Sequence, residues 1–267
     1  MTVSIGFIGA GSMGGAMISG LAASRELRIL GYDPDRVKLE NLQKGCGLIP
    51  VDDFSALCRQ SDYIFLAVKP GIMKEAVSQV SVHLSPSQCL VSIAAGISIP
   101  RIISWSGDKY PVVRIMPNTP ALVGKGVFAL CLDHERISSS QRDFLTATVS
   151  SLGRTFILPE RYFDAFTALI GSGPAYVYYF MESMVEAGVL LGLDRTTGAD
   201  MVRHLFAGSS EMSLGRDKSI TELKEMVTSP GGTTIAGLSV LDRKAVRAAI
   251  MQAVESAARR SRELDQD

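Results

Sequence analysis

The first part of the chain alternates short, continuous apolar runs with segments whose apolar positions recur at helical spacing. VSIGFIG (3–9), LRILGYD (27–33), DYIFLAV (62–68), QCLVSIA (88–94) and PVVRIMP (111–117) read as strands covered on both faces. Between them MGGAMISGLAAS, DRVKLENLQKG and GIMKEAVSQVSVHL read as helices. This alternation predicts an α/β unit, a doubly wound parallel sheet. A helix over 139–153 and a strand over 154–159 are expected to close it.

After Pro159 the pattern changes, and helical spacing runs to the end. The expected division is therefore 1–160 and 161–267, the second part all-helical. AYVYYFMESMVEAGVLLGL (175–193) is apolar on almost every side, with Glu182 and Glu186 its only charges. A helix of that kind has to be buried. Residues 161–267 offer little interior of their own, so its cover is either the middle of a small bundle or a second subunit. We expect the second subunit. The closing helix, RKAVRAAIMQAVESAARRSREL, is amphipathic and ends in a basic turn, which suits the negative end of the helix dipole.

Composition narrows the function. Lys+Arg and Asp+Glu both number 27, so the basic excess of a nonspecific nucleic-acid binder is missing and no nucleic-acid partner is expected. The four cysteines (Cys46, Cys58, Cys89, Cys131) form no CxxC pair, and His83, His134 and His204 are scattered. Neither a metal site nor a disulfide framework is expected, and a reducing, cytoplasmic setting fits. The first residues lack a secretory pattern, and no apolar run reaches the ~18 residues of a membrane span.

The chemistry starts directly after the first strand. Gly9, Gly11 and Gly14 stand in GxGxxG spacing between a strand and a helix, the context in which that spacing binds a dinucleotide. Gly9 permits the turn, Gly11 lets backbone approach a pyrophosphate, and Gly14 lets the helix lie close to the strand. At the end of the second strand, Asp33 is placed to accept from an adenosine ribose, which would favour NAD. Equally, it precedes Pro34 and could cap the next helix. Arg36 and Lys38 follow and could hold the 2′-phosphate of NADP.

Further ligand contacts in such sheets come from loops at the carboxyl ends of strands. AVKP (67–70) offers Lys69 near bound anions, SIAAG (92–96) offers backbone to a flat ring, and MPNTP (116–120) presents Asn118. A second glycine loop, SPGGTT (229–234), lies in the helical half. Ser229 reads as an N-cap with Pro230 in the first helical position. Gly231, Gly232 and Thr233 then expose amides at a helix start, and Thr233 and Thr234 add hydroxyls. A small carboxylate suits such a site. No histidine falls in any of these loops.

The segments FIGAGSMGGAM, AVKPGIM, VSIAAGI, RIMPNTPALVGKG, GSGPAYVYYFMESM and LKEMVTSPGGTTIAGLSVLD closely resemble pyrroline-5-carboxylate reductase, from residue 3 to about residue 262. The resemblance implies a Rossmann-type N-terminal sheet and an all-helical C-terminal dimerisation domain. It implies reduction of the imine 1-pyrroline-5-carboxylate to L-proline by hydride from NADPH or NADH. Positions matching the family's cofactor loops are Gly9, Ala10, Gly11, Ser12, Met13, Gly14, Ala67, Val68, Lys69, Pro70, Ala95 and Asn118. Those matching its substrate loop are Ser229, Gly231, Gly232, Thr233 and Thr234, with Thr234 the expected catalytic hydroxyl. Asp33 departs from the neutral residue many members carry, so NADP and NAD both stay open. A β-hydroxyacid dehydrogenase would need a lysine in GSGPAYVYYFMESM, and there is none. A silent dinucleotide sensor would not need the second glycine loop.

Overall fold

The computed structural model describes residues 2–24, 26–215 and 217–265. The apolar runs form β1 (Val3–Ile8), β2 (Leu27–Tyr32), β4 (Tyr63–Leu66), β5 (Cys89–Ser92) and β6 (Val112–Met116), with the short β3 (Ile49–Pro50) at the edge. Two further strands, β7 (Gly126–Cys131) and β8 (Gly153–Ile157), complete the sheet. The helices of this half are α1 (Ser12–Leu21), α2 (Arg36–Cys46), α3 (Phe54–Arg59), α4 (Met73–Ser81), α5 (Ile99–Ser106) and α6 (Ser139–Ser150).

The strand order is β3-β2-β1-β4-β5-β6-β7-β8. β1 pairs with β2 on one side, Ile5 opposite Ile29, and with β4 on the other, Ile5 opposite Tyr63. The order reverses there, which opens a crevice at the carboxyl ends of β1 and β4. Successive side chains face opposite sides: Tyr63 and Phe65 enter one apolar cluster, Ile64 and Leu66 the other. Both faces of the sheet are thus covered at its central strands, as continuous apolar strands require.

One strand departs from the expected parallel sheet. β7, which the periodicity does not suggest, runs antiparallel to β6 with Arg114 opposite Cys131. Residues 117–125 between them include only a 3₁₀ turn, Thr119–Val123. A parallel crossover needs about a dozen residues or more, so the chain turns straight back.

Beyond β8 come α7 (Phe163–Phe166), a π turn at Thr167–Gly171, then α8 (Gly173–Leu190), α9 (Arg195–Leu214), α10 (Ile220–Met226), α11 (Thr233–Arg243) and α12 (Val246–Leu264). The expected closing helix begins later than the sequence suggests, because Ala245 adopts φ +52° and separates α11 from α12. Among the described residues, one compact unit runs up to Ser172 and includes the stretch from Ser256 on; the other is Gly173–Glu255. No residue of α8 is buried in the single chain. The bundle alternative for this helix therefore fails.

Candidate active site

The glycine loop has the geometry its spacing predicts. Gly9 takes φ +100°, and a Cβ there would stand 2.5 Å from the Ala67 carbonyl oxygen. A Cβ on Gly14 would stand 2.4 Å from the Gly9 oxygen. These two glycines close the turn and seat α1 against the sheet. Gly11 differs: a Cβ there meets nothing within 4 Å. It is the N-cap of α1 and no side chain caps the helix. The start of α1 therefore offers open amides and partial positive charge to an anion.

A cleft of about 420 Å³ lies over this turn, lined by Gly9, Gly11, Asp33, Lys38, Ala67, Val68 and Lys69 among others. That volume is ordinary for a cofactor site. Tyr32 and Phe54 form part of its wall, their ring centroids 4.7 Å apart. Phe54 carries no signal in the sequence, because the short α3 has too few turns for a periodic pattern.

Asp33 is 7 % exposed, and its carboxylate accepts from the Ala10 amide at 2.7 Å and the Asp35 amide at 2.9 Å. It does not cap α2. Asp35 does, accepting from the Val37 amide. Lys38 lines the cleft with its ammonium 3.3 Å from Asp35 and 4.0 Å from Asp33. The hydrogen bond with Lys38 holds the Asp35 carboxyl below the usual range. Arg36 is turned elsewhere. Its guanidinium binds Asp52 at 2.9 Å and is not part of the cleft wall. Of the two expected cations, only Lys38 lines the cleft.

Ala67 and Val68 are half-buried and Lys69 exposed, and Pro70 begins a 3₁₀ turn just beyond. Ala95 is half-buried in the loop after β5. Asn118 is not presented as expected. It is 6 % exposed, its Nδ2 donates to the Ile170 carbonyl at 3.2 Å, and its Oδ1 accepts from the Val127 amide at 2.9 Å. A buried amide with both ends bonded is a brace for its loop.

The second glycine loop starts its helix later than the sequence suggests. Ser229 opens a turn with Pro230 and Gly231 at its centre, Gly231 takes φ +66°, and the N-cap of α11 is Gly232. The Gly232 amide is spent on the Ser229 carbonyl at 3.1 Å. The first-turn amides that follow, from Thr233 and Thr234, meet no side-chain cap. Thr233 is exposed and Thr234 half-buried. This loop belongs to the Gly173–Glu255 unit and the cleft to the other.

The remaining titratable groups lie outside these loops. Burial lowers the pKa of His134, which faces Asp108 at 3.5 Å. All four cysteines are unpaired, and burial pushes the Cys58 and Cys131 thiols up to about 11.

Compared with known proteins, the chain is 35% identical to the pyrroline-5-carboxylate reductase of Arabidopsis thaliana, over 98% of this chain and 95% of the plant protein. The chain belongs to the pyrroline-5-carboxylate reductase family. The Escherichia coli (strain K12) reductase is 34% identical, with 99% of each chain covered. A family model described as pyrroline-5-carboxylate reductase dimerisation matches residues 160–264. One described as NADP oxidoreductase, coenzyme F420-dependent, matches residues 4–96. Among solved structures, pyrroline carboxylate reductase of Plasmodium falciparum with NADP bound superposes with a TM-score of 0.90 at 33% identity, covering 98% of both chains. The Streptococcus pyogenes reductase gives 0.89 at 30%, covering 97% of this chain and 98% of that one. Both halves of this chain thus match the reductase family, the dimerisation region included.

Proposed function

We propose that the chain reduces 1-pyrroline-5-carboxylate to L-proline with NADPH or NADH, the last step of proline biosynthesis. The observation that carries this is the open face of Gly11 over a capless helix start, in a chain related to these reductases along its full length. A dinucleotide fits the residues present. Its pyrophosphate would rest on the amides from Gly11 to Met13, with Ala10 and Ser12 in the same turn and Gly9 and Gly14 shaping it. Lys69, beside Val68 and Pro70, supplies a cation at the cleft wall, and Ala95 borders the nicotinamide end.

A reduced nicotinamide bound there supplies a hydride. The chain's own part is positional. The open amides of Thr233 and Thr234, with Gly231, Gly232 and Ser229 shaping the approach, receive the substrate carboxylate. The Thr234 hydroxyl hydrogen-bonds the ring nitrogen. An imine that arrives protonated already carries its proton, so hydride addition to carbon leaves a neutral secondary amine and needs no acid. That accounts for loops without histidine. Orientation of this kind supplies much of the acceleration when both partners are held.

The exposed apolar α8 and the matched dimerisation region support a homodimer as the working unit. No helix among the described residues is long and apolar enough to cross a membrane. Four unpaired cysteines support a cytoplasmic setting. The reading is tested by following NADPH and NADH consumption with 1-pyrroline-5-carboxylate, with a β-hydroxy acid, and with no substrate. Turnover confined to the imine supports it; turnover of the hydroxy acid alone refutes it.

A further inference from the structure

Beyond β5 the chain runs over Ile93, Ala94, Ala95 and Gly96, and its first half is held locally: Ile93 and Ala94 are buried in the two apolar clusters, and the Ile93 amide donates to the Leu66 carbonyl at 3.2 Å. The glycine end is held from the far end of the chain. Gly96 takes φ +67°, and a Cβ there would stand 2.6 Å from the Leu264 Cβ and 3.0 Å from the Ser261 carbonyl oxygen. The last turn of α12 therefore lies directly on the loop backbone. Just beyond, Ser98 donates its amide to Asp265 Oδ1 at 2.8 Å, across 167 residues of sequence. Ile99 donates to Glu160 Oε1 at 2.7 Å. Two carboxylates from remote segments thus meet the start of α5, where open amides and the helix dipole favour them.

These anchors are themselves fixed. Arg114, 4 % exposed, donates from Nη1 to Glu160 Oε1 at 3.0 Å, and its guanidinium lies 4.9 Å over the Phe163 ring. Ser261, 3 % exposed, donates to Asp164 Oδ1 at 2.7 Å. The terminal turn is seated on α7 on one side and on the loop on the other.

We propose that Ser261–Asp265 is a clip that fixes the Ala95–Gly96 end of this loop and thereby its grip on the nicotinamide dinucleotide. Leu264 and Asp265 are positioning residues: they touch the loop and the start of α5, and act on the cofactor through them. The inference rests on the reading of that loop, with Ala95, as part of the cofactor site.

The test uses the full chain and the variants Asp265→Ala, Asp265→Asn and Leu264→Ala. Dissociation constants for NADPH and NADH are measured by nicotinamide fluorescence, alongside the KM for 1-pyrroline-5-carboxylate and thermal unfolding. Asp265→Ala should weaken both dinucleotides roughly tenfold, equivalent to about 1.4 kcal/mol, with the imine KM and the unfolding midpoint little changed. Asp265→Asn should recover most of that loss, since its carbonyl still accepts from the Ser98 amide. Leu264→Ala should weaken the dinucleotides in the same direction. Unchanged affinity in folded Asp265→Ala and Leu264→Ala overturns the clip. So does a parallel fall of affinity, turnover and thermal stability, which would make the turn general support. Binding is read without the imine, so a parent that binds dinucleotide but leaves the imine unreduced refutes the reductase reading alone. A parent that binds neither dinucleotide overturns both.

Discussion

Asp33 accepts a hydrogen bond from the amide of Ala10 at 2.7 Å. The end of β2 is thereby tied to the glycine loop by a carboxylate that also faces the cleft. The tie does not remove its charge, so a 2′-phosphate placed beside it would meet repulsion, which Lys38 offsets. Asp33→Asn loses the charge and keeps one oxygen for the Ala10 amide, giving up the bond from the Asp35 amide. It should raise kcat/KM for NADPH relative to NADH by roughly tenfold, about 1.4 kcal/mol. Lys38→Ala should move the ratio the other way, and Arg36→Ala, paired with Asp52, should leave it in place. A ratio unmoved in Asp33→Asn would reduce Asp33 to a tie between strand and loop.

Gly11 and Gly14 belong to one motif but should fail differently. A side chain on Gly11 enters open space, so Gly11→Val should fold normally and lose dinucleotide affinity by roughly a hundredfold or more, about 2.7 kcal/mol. A Cβ on Gly14 would collide with the Gly9 carbonyl, so Gly14→Ala should destabilise the fold by about 1–3 kcal/mol. Fluorescence titration and urea unfolding separate the two defects. Normal affinity in Gly11→Val would remove the glycine turn from the cofactor site.

At the start of α11 the hydroxyl and the glycine can be separated by steady-state kinetics. Thr234→Ala should lower kcat, since losing a hydrogen bond to a charged group is worth roughly 1.5–3 kcal/mol, or about ten- to a hundredfold. Gly232→Val should instead raise the KM for 1-pyrroline-5-carboxylate. Its Cβ would stand 3.2 Å from the Ser229 carbonyl oxygen, at the approach to the open amides. Two variants with the parent's kinetics would make this loop a turn and no more.

The exposed face of α8 predicts the assembly. Tyr179 is 70 % and Leu190 87 % exposed in the single chain, which water-facing helices do not sustain without cover. Sedimentation at micromolar concentration should find a dimer or a multiple of it. A monomer with full activity would remove the second subunit from the account.

The sheet was legible because its strands are covered on both faces and so spell continuous apolar runs, as Ile5, Phe65 and Val91 do. β7 was not, because the MPNTP loop hides how short the return is. The glycine turn could be read position by position, since Gly9, Gly11 and Gly14 meet different surroundings that their spacing already separates. The partners of Asn118 and Arg36 leave no trace in the sequence: an amide in a stiff loop and a cation near Asp33 look alike whether they face a ligand or, as here, Ile170 and Asp52. The start of α11 was misplaced because Ser-Pro resembles a cap, while the positive φ of Gly231 delays the helix. Long-range ties such as Asp265 to Ser98 leave no local pattern at all.

Hydride transfer to the imine carbon is checked by incubating the full chain with 1-pyrroline-5-carboxylate and NADPH or NADH doubly deuterated at nicotinamide C4, then examining the product by mass spectrometry. The product should be L-proline carrying one deuterium on the ring carbon that was the imine carbon. Oxidised cofactor without proline, or proline without the label, would contradict it.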